Sequence, residues 1–230
     1  MVLKIVRTVW PVMLTYVAIG APCGMIMAQT GMEPWMVFAL SSTFVTGSGQ
    51  FMICNLWLAG VPAASIVASV AAISSRFALY SASIAPHLRG ASKRQTLAVA
   101  ATLTEEAYGI SLGKLVEGED WGPLESFVLN VILIATWGVS CTTGAIVGAV
   151  VDVPTAIAAF VCTSLFICLL FSQRLSRGNV VAAVSGAVSV AVCKFLGLAN
   201  IAVPASVVVG IAIALACDAV FDGRGARDAR

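Results

Sequence analysis

The sequence predicts an all-α integral membrane protein, and three observations lead to that prediction. The chain has 230 residues, of which 60% are hydrophobic and only 10% are charged, and its mean hydropathy is +0.99. A soluble domain carries about 25% charged residues, and no soluble fold of this length could bury so much apolar surface. The apolar residues also form segments of roughly twenty residues, the length that crosses a bilayer as helix. We therefore expect about seven or eight hydrophobic helical segments, two of them broken or re-entrant, in one transmembrane permease domain over residues 1–230.

The segments follow one another along the chain, separated by turns that contain proline, glycine and charged residues. The first contains Pro11 and Pro22. Since no cleavage site of small residues follows a short apolar core, we expect a membrane helix and not a signal peptide. The fourth is less apolar than the others because it contains Glu105 and Glu106. The predicted bounds are about 8–29, 34–58, 63–85, 95–116, 124–151, 155–171, 179–195 and 201–221.

The centre of the second segment is polar and reads Thr46-Gly47-Ser48-Gly49-Gln50. Glycine costs about 1 kcal/mol relative to alanine inside a helix, so this stretch favours a break. In hydrocarbon a broken helix is tolerated only where it faces protein or a water-filled cavity, and half-helix N-termini of this kind bind anions in many secondary transporters. The alternative is a packing face of small residues, through which two membrane helices approach closely. This stretch alone leaves both interpretations open.

The distribution of Lys and Arg predicts the orientation of the segments in the membrane. If all eight segments cross, with the N-terminus inside, the basic loop 89–94 falls outside, which contradicts the preference of such loops for the cytoplasm. If segments two and four enter the membrane and return on the same side, this loop, both termini and the loop with Arg174 and Arg177 are all cytoplasmic. We therefore expect six full crossings and two re-entrant segments.

Charged side chains deep in membrane segments are costly and commonly functional. Arg76 lies well inside the third segment, with Tyr80 one turn later, and Glu105 and Glu106 lie near the middle of the fourth, after Thr104. Adjacent carboxylates on a helix point about 100° apart, so we expect only one of the two to be a site residue, and we choose Glu105. The alternative is a structural Arg–Glu pair between two helices, or an Arg76 side chain that extends to the interface.

Other classes of chemistry have little support in the sequence. The seven cysteines are scattered singly through apolar segments, which favours buried free thiols over disulfides, and no cluster of metal ligands is present. We expect no cofactor and no metal. The net charge of +2, without a long Lys/Arg run, gives no indication of nucleic acid binding. The five tryptophans fall mostly near segment ends, which is typical of an aromatic belt, and we assign them no chemistry.

Three stretches of the chain resemble motifs of the AzlC family, the large subunit of bacterial branched-chain amino acid exporters. Residues 47–51, Gly-Ser-Gly-Gln-Phe, look like its Gly/Ala-Ser/Ala-Gln-Phe motif. Residues 76–83, Arg-Phe-Ala-Leu-Tyr-Ser-Ala-Ser, followed by Pro86-His87-Leu88, resemble its Arg-His-x-Leu-Tyr stretch and basic loop. Residues 104–108, Thr-Glu-Glu-Ala-Tyr, are similar to its Thr-Asp-Glu-x-Phe motif. Their order, their spacing and the chain length agree with the family over nearly the whole chain.

The sequence departs from the family pattern at three positions. Ser75 stands where Asn or Asp is common, Phe77 where His is common, and Glu105 where Asp is usual. These positions lie in or beside the candidate polar site, so we expect the departures to affect the substrate preference. The resemblance implies a multi-pass protein of the cytoplasmic (inner) membrane that acts with a small membrane partner of the AzlD type.

From these observations we expect a gradient-coupled permease, and not an enzyme, that exports branched-chain or similar apolar amino acids. Backbone N–H groups and Arg76 would bind the substrate carboxylate, and a glutamate would bind its ammonium group. The alternatives are a channel or passive pore for small solutes and an intramembrane enzyme, the latter disfavoured because no catalytic set is present. The candidate substrate-binding residues are Gly47, Ser48, Gly49, Gln50, Arg76, Tyr80, Thr104, Glu105 and Glu106.

Overall fold

The computed structural model describes residues 1–88, 90–117, 121–150 and 177–197, together with 160, 163–164, 167, 205–206, 208–210, 212–213 and 216–217. Every regular element in this part of the chain is a helix, which confirms the all-α prediction. A 3₁₀ turn, Ala85–His87, follows the fifth α-helix. The α-helices are α1 Val2–Gln29, α2 Pro34–Thr43, α3 Gly47–Leu58, α4 Ala63–Ser74, α5 Arg76–Ile84, α6 Lys93–Ala101, α7 Glu105–Val116, α8 Pro123–Val150 and α9 Arg177–Phe195.

Three helical stretches in the described residues are long and apolar enough to cross a membrane. They are Val2–Gln29, Ala63–His87 and Pro123–Val150, and they correspond to the first, third and fifth predicted segments. The chain is therefore a membrane protein. The seventh predicted segment corresponds to α9, whereas most of the sixth and eighth lies outside the described residues.

The chain divides into two compact units, so that the prediction of one permease domain over residues 1–230 stays a prediction. One unit comprises Met1–Leu58 and Ser74–Cys162, and it holds all the candidate site residues. The other comprises Ala59–Ile73 and Thr163–Arg230. Within this second unit, the stretch around Gly210 approaches α9 closely, since a Cβ at Gly210 would lie 3.2 Å from the carbonyl oxygen of Ala182.

The first unit is built around α1 and α8, two helices of 28 residues each. Gly20 lies against Ser140 and Gly24 against Ala145, so the residue numbers rise together and the two helices run parallel. Their backbones touch: a Cβ on Gly144 would overlap the carbonyl oxygen of Ala21. Small residues permit this close approach, which is how membrane helices gain packing energy in the absence of a hydrophobic driving force between them.

The segments between α1 and α8 are interrupted rather than continuous. The second predicted segment is broken at residues 44–46, between α2 and α3, and the fourth at 102–104, between α6 and α7. With 12 residues each, α3 and α7 span only about 18 Å, little more than half of a bilayer core. A third interruption, at Ser75 between α4 and α5, was not predicted. The two-residue run of serines before Arg76 is its only local signal.

The first break lies a few residues earlier than the glycines suggested. Gly47–Gln50 are not the interruption itself but the first turn of α3. The reason is local capping, because the hydroxyl of Thr46 accepts a hydrogen bond from the amide of Gly49, at 3.2 Å. The hydroxyl of Thr104 accepts from the amide of Ala107 in the same way, also at 3.2 Å, and begins α7. Both breaks therefore end in a threonine cap that starts a half-helix.

The loop before α6 gives a test of the predicted topology. Ser92 is exposed and caps α6 in a reciprocal arrangement with Gln95. If segments two and four are re-entrant, a cysteine at Ser92 is expected to be cytoplasmic. It would then resist an impermeant thiol reagent added outside intact cells and react after permeabilisation. The experiment would use a variant from which the native cysteines have been removed, so that only the cysteine at position 92 reacts. Three of the native cysteines, Cys23, Cys54 and Cys141, are buried. Labelling from outside would contradict the re-entrant topology.

Candidate functional site

Arg76 connects the beginnings of three helices. It is the first residue of α5, and its Nη2 lies 2.9 Å from Oε2 of Glu105 while its Nη1 donates to Oε1 at 3.3 Å. Nη2 also donates to the hydroxyl of Ser48, in the first turn of α3, at 2.7 Å. The Arg76 and Glu105 side chains are 26% and 30% exposed, so the pair is accessible and not sealed in a core. An ion pair with this two-point geometry is directional as well as strong.

The starts of α3 and α7 differ in charge. The first two amides of each half-helix, those of Gly47 and Ser48 in α3 and of Glu105 and Glu106 in α7, precede the first intrahelical hydrogen bond. In α7 two carboxylates stand at this positive end and stabilise it. The first turn of α3 has no acidic residue. Its positive end therefore lies beside the Arg76 guanidinium, and the two together favour an anion.

The second carboxylate of α7 has a different partner. Oε2 of Glu106 accepts a hydrogen bond from the hydroxyl of Tyr16, on α1, at 2.5 Å. The same hydroxyl lies 3.2 Å from Oγ1 of Thr104. Tyr16 is only 6% exposed, whereas Glu106 is exposed. The two adjacent glutamates thus contact different surroundings, Glu105 on the Arg76 side and Glu106 on the α1 side.

A buried amide braces the first break. Oε1 of Gln50, which is fully buried, accepts from the indole N–H of Trp137 at 2.9 Å and from the hydroxyl of Ser41 at 3.2 Å. Its Nε2 donates to the carbonyl oxygen of Phe44, at 2.6 Å, which compensates a backbone group that the break leaves without its helical partner. Trp137 also packs edge-to-face on Tyr16, with ring centroids 5.3 Å apart. The two breaks are therefore connected through the centre of the α1/α8 pair.

Aromatic side chains lie next to the ion pair, between α5 and α7. Tyr80 stacks on Tyr108, with ring centroids 4.6 Å apart and planes inclined by 15°. Phe77 meets Tyr80 edge-on at 5.7 Å and lies 5.5 Å from the Arg76 guanidinium carbon. Tyr80, predicted as a site residue, thus belongs to this aromatic cluster (Phe77, Tyr80 and Tyr108) and not to the ion pair.

The structure brings the predicted polar residues together in two connected groups. Ser48, Arg76 and Glu105 form one group, and Thr104 and Glu106 form the other with Tyr16. Sequence reasoning missed Tyr16 and Trp137. The belt interpretation was wrong for Trp137, which is 8% exposed in the middle of α8 and donates to Gln50. The position of Trp137 in the middle of the fifth predicted segment could have indicated this role, because an indole N–H far from a segment end needs a buried acceptor.

The two glycines of the first motif are positioned by close contacts. A Cβ at Gly47 would lie 3.0 Å from the ring of Trp137, and one at Gly49 would lie 2.8 Å from Cγ2 of Thr46 and 3.0 Å from the ring of Phe44. A leucine at either position would displace these neighbours and favour a continuous helix. Both Gly47→Leu and Gly49→Leu are expected to abolish transport while the protein remains inserted. Full transport by either variant, at matched membrane levels, would leave only a packing role.

Comparisons with known proteins agree with the motifs. The model of one protein family, described as AzlC protein, matches residues 11–151, more than half of the chain and including all nine candidate site residues. A search of curated proteins and a search of solved structures found no match.

Proposed function

We propose that this chain, which belongs to the AzlC family, is a multi-pass permease of the cytoplasmic (inner) membrane that exports branched-chain or similar apolar amino acids. In this proposal it acts with a small AzlD-type membrane subunit. The family is associated with branched-chain amino acid transport, and the chain is a membrane protein. The observation that carries the proposal is the accessible Arg76–Glu105 ion pair at the meeting point of three helix starts.

The ion pair has the charges that a free amino acid requires. The substrate carboxylate would bind to Arg76, the hydroxyl of Ser48 and the free amides at the start of α3, and its ammonium group would bind to Glu105. Nε of Arg76 supports this assignment because it is buried and has no hydrogen-bond partner within the described part of the chain, which leaves a donor for a carboxylate. When a zwitterion binds, the Arg76–Glu105 pair is replaced by two pairs, Arg76 with the substrate carboxylate and Glu105 with the substrate ammonium group. Binding therefore does not change the net charge of the site.

The neighbouring aromatic cluster supports an apolar substrate side chain. A molecule held between Arg76 and Glu105 would lie beside Phe77 and one helical turn from the stacked Tyr80 and Tyr108. Burying an aliphatic side chain against such rings contributes about 25 cal/mol per Å² of apolar surface removed from water. A charged or strongly polar side chain would gain nothing there. The substrate class follows as amino acids with aliphatic or similar side chains.

The ion pair also favours a carrier over a passive pore. Arg76 and Glu105 contact each other directly, and the half-helices that carry Glu105 and Ser48 are separate elements. A substrate that binds between the two charges would replace this contact, and the half-helices would move with it. Alternation of this kind, with half-helices around a midplane site, is typical of secondary transporters. A pore would not respond to substrate on the opposite side of the membrane, whereas a carrier would.

Counterflow in proteoliposomes tests the proposal. The chain would be co-purified with its small membrane subunit, loaded with unlabelled leucine and supplied with labelled leucine outside, and we expect trans-stimulated uptake. Two leucine analogues each lack one charged group: 4-methyl-2-oxopentanoate lacks the ammonium group and 3-methylbutylamine lacks the carboxylate. Neither is expected to drive counterflow. Equal flux in loaded and empty vesicles would indicate a pore. Counterflow driven equally well by either analogue would contradict the assigned roles of Arg76 and Glu105.

A further inference from the structure

The charges of the site do not balance. Arg76 and Glu105 compensate each other, whereas Glu106 is a second carboxylate on the same helical turn. Within the described residues the only ion pairs are Arg76–Glu105 and Lys114–Glu117, so Glu106 pairs with no cation there. Its hydrogen-bond partner is the neutral hydroxyl of Tyr16. Glu106 is exposed, so water can reach it, and binding a proton would neutralise a carboxylate that has no cation partner in a membrane segment.

The hydrogen bonds around Glu106 suit both forms of the carboxyl group. When Glu106 is ionised, the Thr104 hydroxyl can donate to Tyr16 Oη while the Tyr16 hydroxyl donates to Glu106. When Glu106 is protonated, the chain can reverse, with Glu106 donating to Tyr16 and Tyr16 donating to Oγ1 of Thr104. In both directions Oγ1 of Thr104 still accepts from the amide of Ala107, so the start of α7 keeps its cap.

We propose that Glu106, hydrogen-bonded to Tyr16, is the site that binds the coupling proton of this permease, so that one proton enters for each amino acid exported. The proposal rests on the proposed function, and it gives Glu106 a role beside that of Glu105, whereas the sequence alone predicted a single site residue of the two. Among the described residues, the titratable groups that interact with Glu106 are Glu105 on its own helix, Tyr16 on α1 and Tyr80 on α5. None of these is cationic, and Arg76 on α5 pairs with Glu105.

The exchange is balanced as a simple proton transfer. From the outer side a hydronium ion gives a proton to Oε2 of Glu106, an O–H bond forms, and a water molecule is released. On the inner side, substrate ammonium arrives beside Glu105, and this positive charge favours the ionised form of the adjacent Glu106. The O–H bond then breaks and the proton passes to water. The substrate ammonium group and the proton thereby exclude each other from the two neighbouring carboxylates. The amino acid is therefore carried outward while the proton is carried inward.

Infrared spectroscopy tests the proton site without requiring transport. The purified complex, without substrate and near neutral pH, is expected to show the C=O stretching band of a protonated carboxyl group that shifts in D₂O. This band should vanish in Glu106→Gln and persist in Glu117→Gln, a matched change at an exposed carboxylate on the same segment. In Tyr16→Phe, which keeps the ring on Trp137, the band should move to higher frequency because the carboxyl group loses a hydrogen bond. An unchanged band in Glu106→Gln, or no band in the parent, would overturn the proposal.

Transport under an imposed pH gradient gives the second measurement. In proteoliposomes the parent and Glu117→Gln are expected to accumulate leucine against its gradient, by up to about tenfold per unit of pH difference for one proton exchanged. The counterflow that remains in Glu106→Gln should not respond to the gradient. A response equal to that of the parent, or exchange that follows a sodium gradient instead, would overturn the proposal. Absence of counterflow in the parent would refute the proposed function, while the spectra would still decide whether Glu106 holds the proton.

Discussion

Replacing Arg76 by Gln is expected to reduce amino acid export by at least about thirtyfold, because it removes the cation that pairs with Glu105. Truncating one partner of a buried, hydrogen-bonded charge pair costs about 2–5 kcal/mol, and each 1.4 kcal/mol corresponds to a factor of ten. The Arg76–Glu105 pair is partly exposed, so we take the lower value. Arg76→Lys keeps the charge but loses the two-point contact with the carboxylate, so we expect an intermediate loss. The measurement is export from dipeptide-loaded cells, normalised to the amount of inserted protein.

A double variant separates a substrate site from a purely structural ion pair. In Arg76→Gln/Glu105→Gln neither uncompensated charge remains, so the packing defect of the single variants is relieved. If the pair only holds α5 to α7, the double variant should export better than either single variant. If the pair binds the two ends of the substrate, the double variant should be at least as inactive as the single ones. Recovery of export in the double variant would therefore contradict the proposed site.

Gly144→Ala is expected to destabilise the protein severely, by about 3 kcal/mol or more, and to lower the amount that inserts. Its new Cβ would overlap the carbonyl oxygen of Ala21, a backbone atom that no side-chain rotation can move. Overpacking of a core costs about 1–3 kcal/mol even when side chains are able to adjust. Gly24→Ala should behave similarly, since its Cβ would overlap the carbonyl oxygen of Cys141 on the partner helix.

Thermal unfolding of the detergent-purified variants measures this effect. Gly113→Ala is the matched control, because Gly113 lies within α7 and a Cβ there would have no heavy atom within 4 Å. That change should leave the melting temperature equal to the parent's or raise it, since alanine is favoured over glycine in a helix by about 1 kcal/mol. A melting temperature of Gly144→Ala equal to that of the parent would show that α1 and α8 do not pack as described.

Composition and residue type alone determined the fold class and predicted the candidate site residues. Sixty per cent apolar residues, in runs of roughly twenty, indicate membrane helices, because a run of that length crosses the bilayer as a helix that pairs its own backbone groups. The polar centre of the second segment and the adjacent carboxylates of the fourth indicated where those helices break, because glycine, threonine and charge are all unfavourable inside an apolar helix. Arg76 and Glu105 were predictable as candidates for the same reason, and the family match covers both residues.

Only the tertiary structure decided which side chains meet. Tyr16 and Glu106 are 90 residues apart, and Trp137 and Gln50 are 87 apart, so no local pattern links either pair. The sequence of the third segment likewise gives little indication of the break before Arg76 beyond two serines, because no residue within that segment requires a break there. Whether Glu105 or Glu106 contacts Arg76 depends on the rotation of α7 about its axis. That rotation is determined by the packing of α7 against α1, α5 and α8. A linear sequence does not contain this packing, so only the fold shows which partner each carboxylate has.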